Sequence, residues 1–319
     1  MREFTVGPND AGQRLDRFLG KAMPGLPFSL IQKAVREKDV KVDGRRAAAA
    51  DRLREGQTVR AYLRGERAAP VGEARRWAAI PPPDVVYEDA HILALHKPPG
   101  LPVHPGDVYS DNTLIAQVQA YLYRAGQWNP EAENTFAPAL AHRIDRNTGG
   151  LVLAAKTAEA LRVLNEKFRG REIEKYYLCL VHGRPHPEAG TLKHFLTRDL
   201  AACRVDAARH PSRGAKTALT AYRVLDTRGD LSLVECRPLT GRTHQIRAQW
   251  AAAGHPLLGD GKYADNRLDR TAGFSHQALY AYKLTLAFTT PAGCLDSLRG
   301  KTFELDTVPF AVGSKIRMK

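Results

Sequence analysis

The alternation of apolar and polar positions divides the chain into a short first unit, a spacer and a long second unit. In the first, residues 1–63, Arg14-Leu15-Asp16-Arg17-Phe18-Leu19 opens an amphipathic helix that Pro24, Gly25 and Pro27 interrupt. A second helix is predicted from a Ser29 cap, with Leu30, Ile31, Ala34 and Val35 on its apolar face and Gln32, Lys33, Arg36 and Lys38 facing water. Val40-Lys41-Val42 alternates as a strand, Asp43-Gly44 turns, and extended structure resumes at Thr58. Two helices on a small sheet are expected. Residues 64–83, rich in Arg, Ala, Gly and Pro and closed by Pro81-Pro82-Pro83, suit neither a helix interior nor a central strand and read as a linker.

The long unit, residues 84–319, begins with two strands, Val85-Val86-Tyr87 and Ile92-Leu93-Ala94-Leu95, and a Pro- and Gly-rich loop from Lys97 to Gly106. Helical periods cover residues 113–123 and 158–168, and the apolar run Leu151-Val152-Leu153 between them predicts a buried strand. Residues 174–183 alternate so that Tyr177, Cys179 and Val181 share one face. Residues 191–218 read as short polar and basic pieces, followed by paired strands at 222–225 and 231–236, a short helix ending near Ala253, and a last strand at 279–288. Helices inserted between hairpins, without regular strand-helix alternation, predict an α+β domain with a large mixed or antiparallel sheet, preceded by the small α+β unit.

Charge changes the picture more than composition does. At 319 residues with 43% hydrophobic content the chain can bury real cores. Its 48 Lys and Arg against 34 Asp and Glu give a formal charge of +14, which calls for a polyanionic partner or an anionic membrane. No stretch is apolar enough to span a bilayer and no secretory leader is read at the start, so nucleic acid and a cytoplasmic location are expected. Cys179, Cys203, Cys236 and Cys294 stand far apart, and the eleven histidines show no ligand spacing, so neither a disulfide framework nor a metal is expected.

The densest chemistry lies in His142-Arg143-Ile144-Asp145-Arg146-Asn147-Thr148-Gly149-Gly150, where one carboxylate sits among cations and a glycine pair turns the chain into the buried strand. From these residues alone, Asp145 is equally a salt-bridged loop carboxylate or a reactive group. HRIDRNTGGLVLAAK closely resembles the HRLDRxTSGLLLxAK signature of the pseudouridine synthases that modify large-subunit ribosomal RNA and, in some members, transfer RNA. YEDAHILALHKPPGLPVHPG, the Glu174-Lys175-Tyr176-Tyr177 strand, and TGRTHQIRAQ with GHPLLGD downstream resemble further motifs of that family, and together they span the long unit. The first unit resembles, more loosely, a small RNA-binding domain named after a ribosomal small-subunit protein.

The resemblance implies the same α+β fold and an isomerase acting on RNA, ribosomal RNA before transfer RNA, with no cofactor. It implies Asp145 as nucleophile, Tyr177 as the active-site tyrosine, and Arg242 as the partner holding Asp145 charged. Arg143 would fill the gap left by a flipped base, and Arg146, Lys175 and Arg247 would contact RNA, as would Arg14, Lys33, Arg36 and Lys41 of the first unit. A monomer is expected. The chain departs from the family pattern at Gly149 and Asn147, where Ser and Asp are usual, and at Tyr280, where His is common. Leu30, Lys38 and Asp43 depart from the small domain's pattern. A catalytically silent RNA-binding factor and a glycosidase-like hydrolase are the competing classes, and the second usually needs two cooperating carboxylates.

The charge generates a first prediction. RNA affinity should fall by at least roughly tenfold between about 50 and 200 mM salt, because several phosphate contacts release counterions. A nearly flat titration would remove the electrostatic argument for RNA.

Overall fold

The computed structural model describes residues 1–63, 77, 79–105, 112–199 and 204–310. The first unit holds strands β1 (Arg2–Thr5), β2 (Val40–Val42), β3 (Arg45–Arg46) and β4 (Thr58–Ala61) in the order β1-β4-β2-β3. Helices α1 (Leu15–Ala22) and α2 (Phe28–Glu37) bury Leu15, Phe18, Leu19, Ile31 and Ala34 against it. The sequence reading misplaced one detail. Pro27, not Ser29, stands at the N-cap of α2, so the helix begins earlier and Leu30 is left exposed while Ile31, Ala34 and Val35 face inward.

Eleven strands form the second sheet: β5 (Asp84–Glu88), β6 (Ile92–Lys97), β7 (Ala139–Leu140), β8 (Gly149–Ala155), β9 (Ile173–His182), β10 (Ala189–Asp199), β11 (Arg204–Ala208), β12 (Lys216–Arg228), β13 (Leu231–Pro238), β14 (Leu279–Leu286) and β15 (Thr302–Glu304). The main path runs β11-β10-β12-β13-β9-β14-β8-β6-β5, with β15 beside β14 and β7 beside β8. Among the described residues every pairing is antiparallel except one. At the β8/β14 seam the strands are parallel, with Gly149 opposite Tyr280 and Gly150 opposite Ala281. The expected mixed sheet is therefore antiparallel with a single parallel joint, and that joint follows directly on the Asp145 loop.

β8 is buried along its whole length because both faces of the sheet are covered. Val152 and Ala154 join one core with Val118 and Leu122 of α3 (Leu114–Arg124) and Trp250 of α5 (Gln245–Ala252). Leu151, Leu153 and Ala155 join the other, with Ala160 and Leu164 of α4 (Ala158–Arg169). This explains why β8 reads as a continuous apolar run. α3 and α4 start at Thr113 and Thr157, whose hydroxyls accept the Ala116 and Ala160 N–H groups, as N-caps do.

Two expectations are corrected. Residues 191–218 are not short pieces: β10 and β12 are long paired strands, and their alternation was obscured because both faces carry exposed polar residues near the sheet edge. The spacer also ends earlier than residue 83. Residues 64–76 and 78 lie outside the described residues, but Trp77 and Ile80 are buried in the second unit's core, where Trp77 packs on Tyr123 and Trp128. Arg124 donates to the Trp77 and Ile80 carbonyls, fixing the segment.

The two units have separate cores yet share a polar interface. Asp10 is buried and accepts hydrogen bonds from Gly7 N, Asn134 Nδ2 and Thr135 Oγ1. Asn9 Oδ1 accepts from Ala158 N, a donor at the start of α4 that has no partner inside the helix.

A boundary prediction follows. A chain beginning at Trp77 should fold cooperatively, whereas one beginning at Pro83 lacks a buried tryptophan, and Trp77→Ala in the full chain should cost about 3–5 kcal/mol. Equal melting temperatures for the two truncations would show that Trp77 belongs to the spacer after all.

Candidate active site

Asp145 lies on the loop between β7 and β8, in a cleft of about 910 Å³ whose walls also come from the start of β9, the end of β13 and the first turn of α5. Two devices hold this loop. Lys97, fully buried at the end of β6, donates from Nζ to the carbonyls of Pro98, Leu101 and Arg146 at 2.8, 2.9 and 2.8 Å. The Arg146 carbonyl also accepts Gly100 N, and Arg146 Nε donates to the Gly100 carbonyl. Burial pulls the Lys97 pKa down to about 7 and the Asp145 carboxylate opposes that shift. Three carbonyls can only accept, and only the ammonium form offers all three N–H groups, so the geometry favours charged Lys97. On the other side of the loop, Thr148 N donates to the Asp145 carbonyl and Gln277 Nε2 to Thr148 Oγ1.

Behind the carboxylate stands Arg247. Its Nε and Nη2 donate to the two oxygens of Asp260 at 2.7 and 2.8 Å, and its Nη1 donates to Asp145 Oδ2 at 2.9 Å. The Arg247 side chain is only 8% exposed and Asp260 1%, against 27% for Asp145. One guanidinium is thus locked by a buried bidentate pair and offers its remaining edge to a carboxylate that faces the cleft. Burial alone would lower the Arg247 pKa, but the two carboxylates more than compensate and raise it. Its guanidinium also lies over the Tyr263 ring, 5.3 Å from the centroid.

The N-terminus of α5 is shaped for this role. His244, its N-cap, sits in the left-handed region at φ 51°, and Gln245 ties the turn to β12. Gln245 Oε1 accepts from Thr240 Oγ1 and Arg242 N, and its Nε2 donates to Leu219 O and Thr220 Oγ1. Val205 N donates to the Tyr263 hydroxyl, which leaves that hydroxyl to donate to His244 Nδ1. His244 Nε2, the N–H in that tautomer, is 3.8 Å from Asp145 Oδ2.

Tyr177 lines the same cleft from β9, 8% exposed. Burial first, and the Asp145 charge second, raise its phenol above the ordinary range, so it is neutral near pH 7. Lys175, two residues earlier, also lines the cleft, with its ammonium 5.6 Å from the centroid of Phe168. Burial lowers its pKa. His142 at the start of the loop is pulled down to about 3 by burial and by Lys175, and its Nε2 accepts Leu153 N. It is a neutral structural ring.

The structure brings Arg143, Asp145, Arg146, Lys175, Tyr177, Arg242 and Arg247 to one cleft, as the motifs implied. It exchanges the places expected for two of them. Arg242 is exposed at the rim, its Nε donating to the Thr217 carbonyl, and it is Arg247 that pairs with Asp145. Held between two aspartates, Arg247 has its three donor nitrogens engaged by carboxylates and only 8% of its side chain exposed. Arg143 and Arg146 are exposed at the lip. Arg14, Lys33, Arg36 and Lys41 do not line the cleft; Arg14 is paired with Asp16, Lys33 lies 3.7 Å from Glu37, and Lys41 lies over Tyr62. Asp260, Tyr263, His244 and Lys97 were not singled out, although Asp260 ends the GHPLLGD run and Lys97 opens the Pro-Gly loop. Among the described residues no three His, Cys, Asp or Glu side chains gather as metal ligands, and no helix is long and apolar enough to cross a membrane.

Residues 91–252 match the family of RNA pseudouridylate synthases. The chain is 35% identical over 300 residues to ribosomal large subunit pseudouridine synthase C of Escherichia coli K12, covering 90% of this chain and 88% of that protein. The Vibrio cholerae protein of the same name is 33% identical over 296 residues, covering 91% and 89%. The solved structure of human RNA pseudouridylate synthase domain containing 4 superposes with a TM-score of 0.55 at 23% identity, covering 75% of this chain and 92% of that one, and so shares the fold.

The two arginines should separate experimentally. Arg247→Ala leaves Asp260 buried without its partner and should cost about 3–5 kcal/mol of stability together with the activity. Arg242→Ala, at the exposed rim, should leave the stability within about 0.5 kcal/mol of the parent. A melting temperature lowered more by Arg242→Ala than by Arg247→Ala would reverse the assignment of the buried partner.

Proposed function

Because the chain belongs to the RNA pseudouridylate synthase family, isomerases that convert uridine in RNA to pseudouridine, we propose that it modifies uridine in large-subunit ribosomal RNA with Asp145 as the nucleophile. The observation that carries this reading is the carboxylate itself: solvent-facing in a deep cleft, and held from behind by a guanidinium that Asp260 prevents from turning. Isomerisation breaks the bond between the sugar C1′ and the base N1, turns the uracil, and joins C5 to C1′. The proton lost from C5 balances the one N1 gains. No redox step is needed.

A fixed carboxylate can begin this by attacking C1′, by attacking the base, or by removing a sugar proton to give a glycal. In each route Arg247 stabilises the charged starting group without giving up its own proton, since a guanidinium held by two carboxylates stays protonated near neutral pH. Tyr177, neutral and buried at the cleft wall, can stack on the uracil and exchange a proton with it. A uridine in a stem cannot enter such a cleft, so the target nucleotide must turn out of the helix, with exposed Arg143 at the lip placed to occupy the space it leaves. Arg242 and Arg146 at the rim, with Lys175 in the wall, supply charge for the flanking phosphates. The first unit adds further RNA contact through Lys33, Arg36 and Lys41. The enzyme is proposed to act as a cytoplasmic monomer without a cofactor, and transfer RNA is the second substrate class to assay.

A hydrolase reading is not favoured, since Asp260 is buried and chelated by Arg247, and Glu174 on the cleft wall is engaged by Arg237 and the Tyr176 hydroxyl. The experiment is Asp145→Asn, which preserves shape and removes the nucleophilic charge. Pseudouridine formation on ribosomal RNA, read by carbodiimide adducts, should fall below detection while RNA binding persists. Near-normal turnover would refute the assignment, and release of free uracil by the parent protein would point to hydrolysis.

A further inference from the structure

The two glycines that end the catalytic loop are required for different reasons. Gly150 adopts φ +117°, and a Cβ there would lie 2.2 Å from the backbone oxygen of Ala281, so backbone geometry alone excludes a side chain. Gly149 is not in the positive-φ region. A Cβ at 149 would instead meet the ring of Tyr280, at 2.3 Å from Cε2, 2.4 Å from Cζ and 2.8 Å from the hydroxyl oxygen. Tyr280 and Gly149 are direct partners across the one parallel joint of the sheet, and the ring occupies the volume that a residue-149 side chain would fill.

The ring is not free to move away. Tyr280 is 3% exposed, its hydroxyl is 3.0 Å from His96 Nε2, and His96 Nδ1 is 2.9 Å from Asp84 Oδ2. An Asp–His–Tyr chain therefore runs from β5 through β6 to β14 and presses the ring onto the start of β8. From there the path to the reacting group is short. Thr148, next to Gly149, donates to the Asp145 carbonyl and is itself held by Gln277, just ahead of β14.

We propose that Tyr280, anchored by His96 and Asp84, is a positioning residue for Asp145, and that Gly149 and Tyr280 form one matched unit in which the ring replaces a side chain on the catalytic loop. The inference rests on Asp145 being the reacting group.

The experiment is a double-substitution cycle in the full-length protein, scored by kcat and KM for pseudouridine formation and by thermal melting. Gly149→Ala forces the loop off the ring and should lower kcat roughly 10²-fold, the effect of a displacement near 1 Å, with KM little changed. Tyr280→Leu removes the colliding ring atoms, so adding Gly149→Ala to Tyr280→Leu should cost less than about threefold more, a coupling between touching residues. Gly150→Ala should be equally damaging with or without Tyr280→Leu. Gly149→Ala with full kcat, or an equal loss in both backgrounds, overturns the proposal. Should Gly149→Ala fail to fold, Tyr280→Phe carries the test: it keeps the ring and loses the His96 anchor, and kcat should drop roughly threefold or more. An unchanged kcat there overturns it. Asp145→Asn in parallel separates the two readings, because surviving activity in that variant overturns the nucleophile assignment, whereas an inactive Asp145→Asn beside an uncoupled pair overturns only the positioning role.

Discussion

One guanidinium organises the site. Arg247 is gripped by Asp260 through two parallel hydrogen bonds and extends a third to Asp145, so the orientation of the Asp145 carboxylate is set by a buried ion pair. The arrangement resolves a conflict of requirements. A reactive carboxylate must face the cleft, where solvent and RNA compete for it, while the charge that steadies it must be immobile, which means buried. Burying an arginine alone would be prohibitive, and Asp260 makes it tolerable. Lys97 solves the same problem for the backbone, using one ammonium to bind three carbonyls around the loop.

Much of this was legible before any coordinates. β8 reads as a buried strand because it is covered on both faces, and the face shared by Tyr177, Cys179 and Val181 follows from a period of two. The long β10–β12 pairing is not legible because strands with wet residues on both sides have little apolar alternation to detect. Trp77 was assigned to the spacer because its neighbours are Arg, Ala, Gly and Pro, and one aromatic residue carries no period.

Arg242 and Arg247 differ for a reason that lies in the backbone. Both lie in one motif, five residues apart, with the same chemistry. What separates them is the left-handed cap at His244, which ends the loop carrying Arg242 and starts the helix that turns Arg247 inward. The backbone turn at one residue separates the exposed cation from the buried one, and no pattern of hydrophobicity records it. The polar interface between the two units is equally silent in the sequence, since Asn9, Asp10, Asn134 and Thr135 look like ordinary turn residues.

The single parallel joint also sets a timetable. β8 leaves the ribosome well over a hundred residues before β14, yet β14 is the strand that pairs with its first residues, lies against Gly149 and Gly150, and supplies Leu279 to the wall of the cleft. A parallel pairing between such distant segments cannot form from local contacts. During synthesis, a nascent chain can therefore already display all of its motifs while the loop bearing Asp145 still lacks its neighbour. A chain that stops before β14, even with every motif intact, therefore lacks the strand that lies against Gly149 and Gly150.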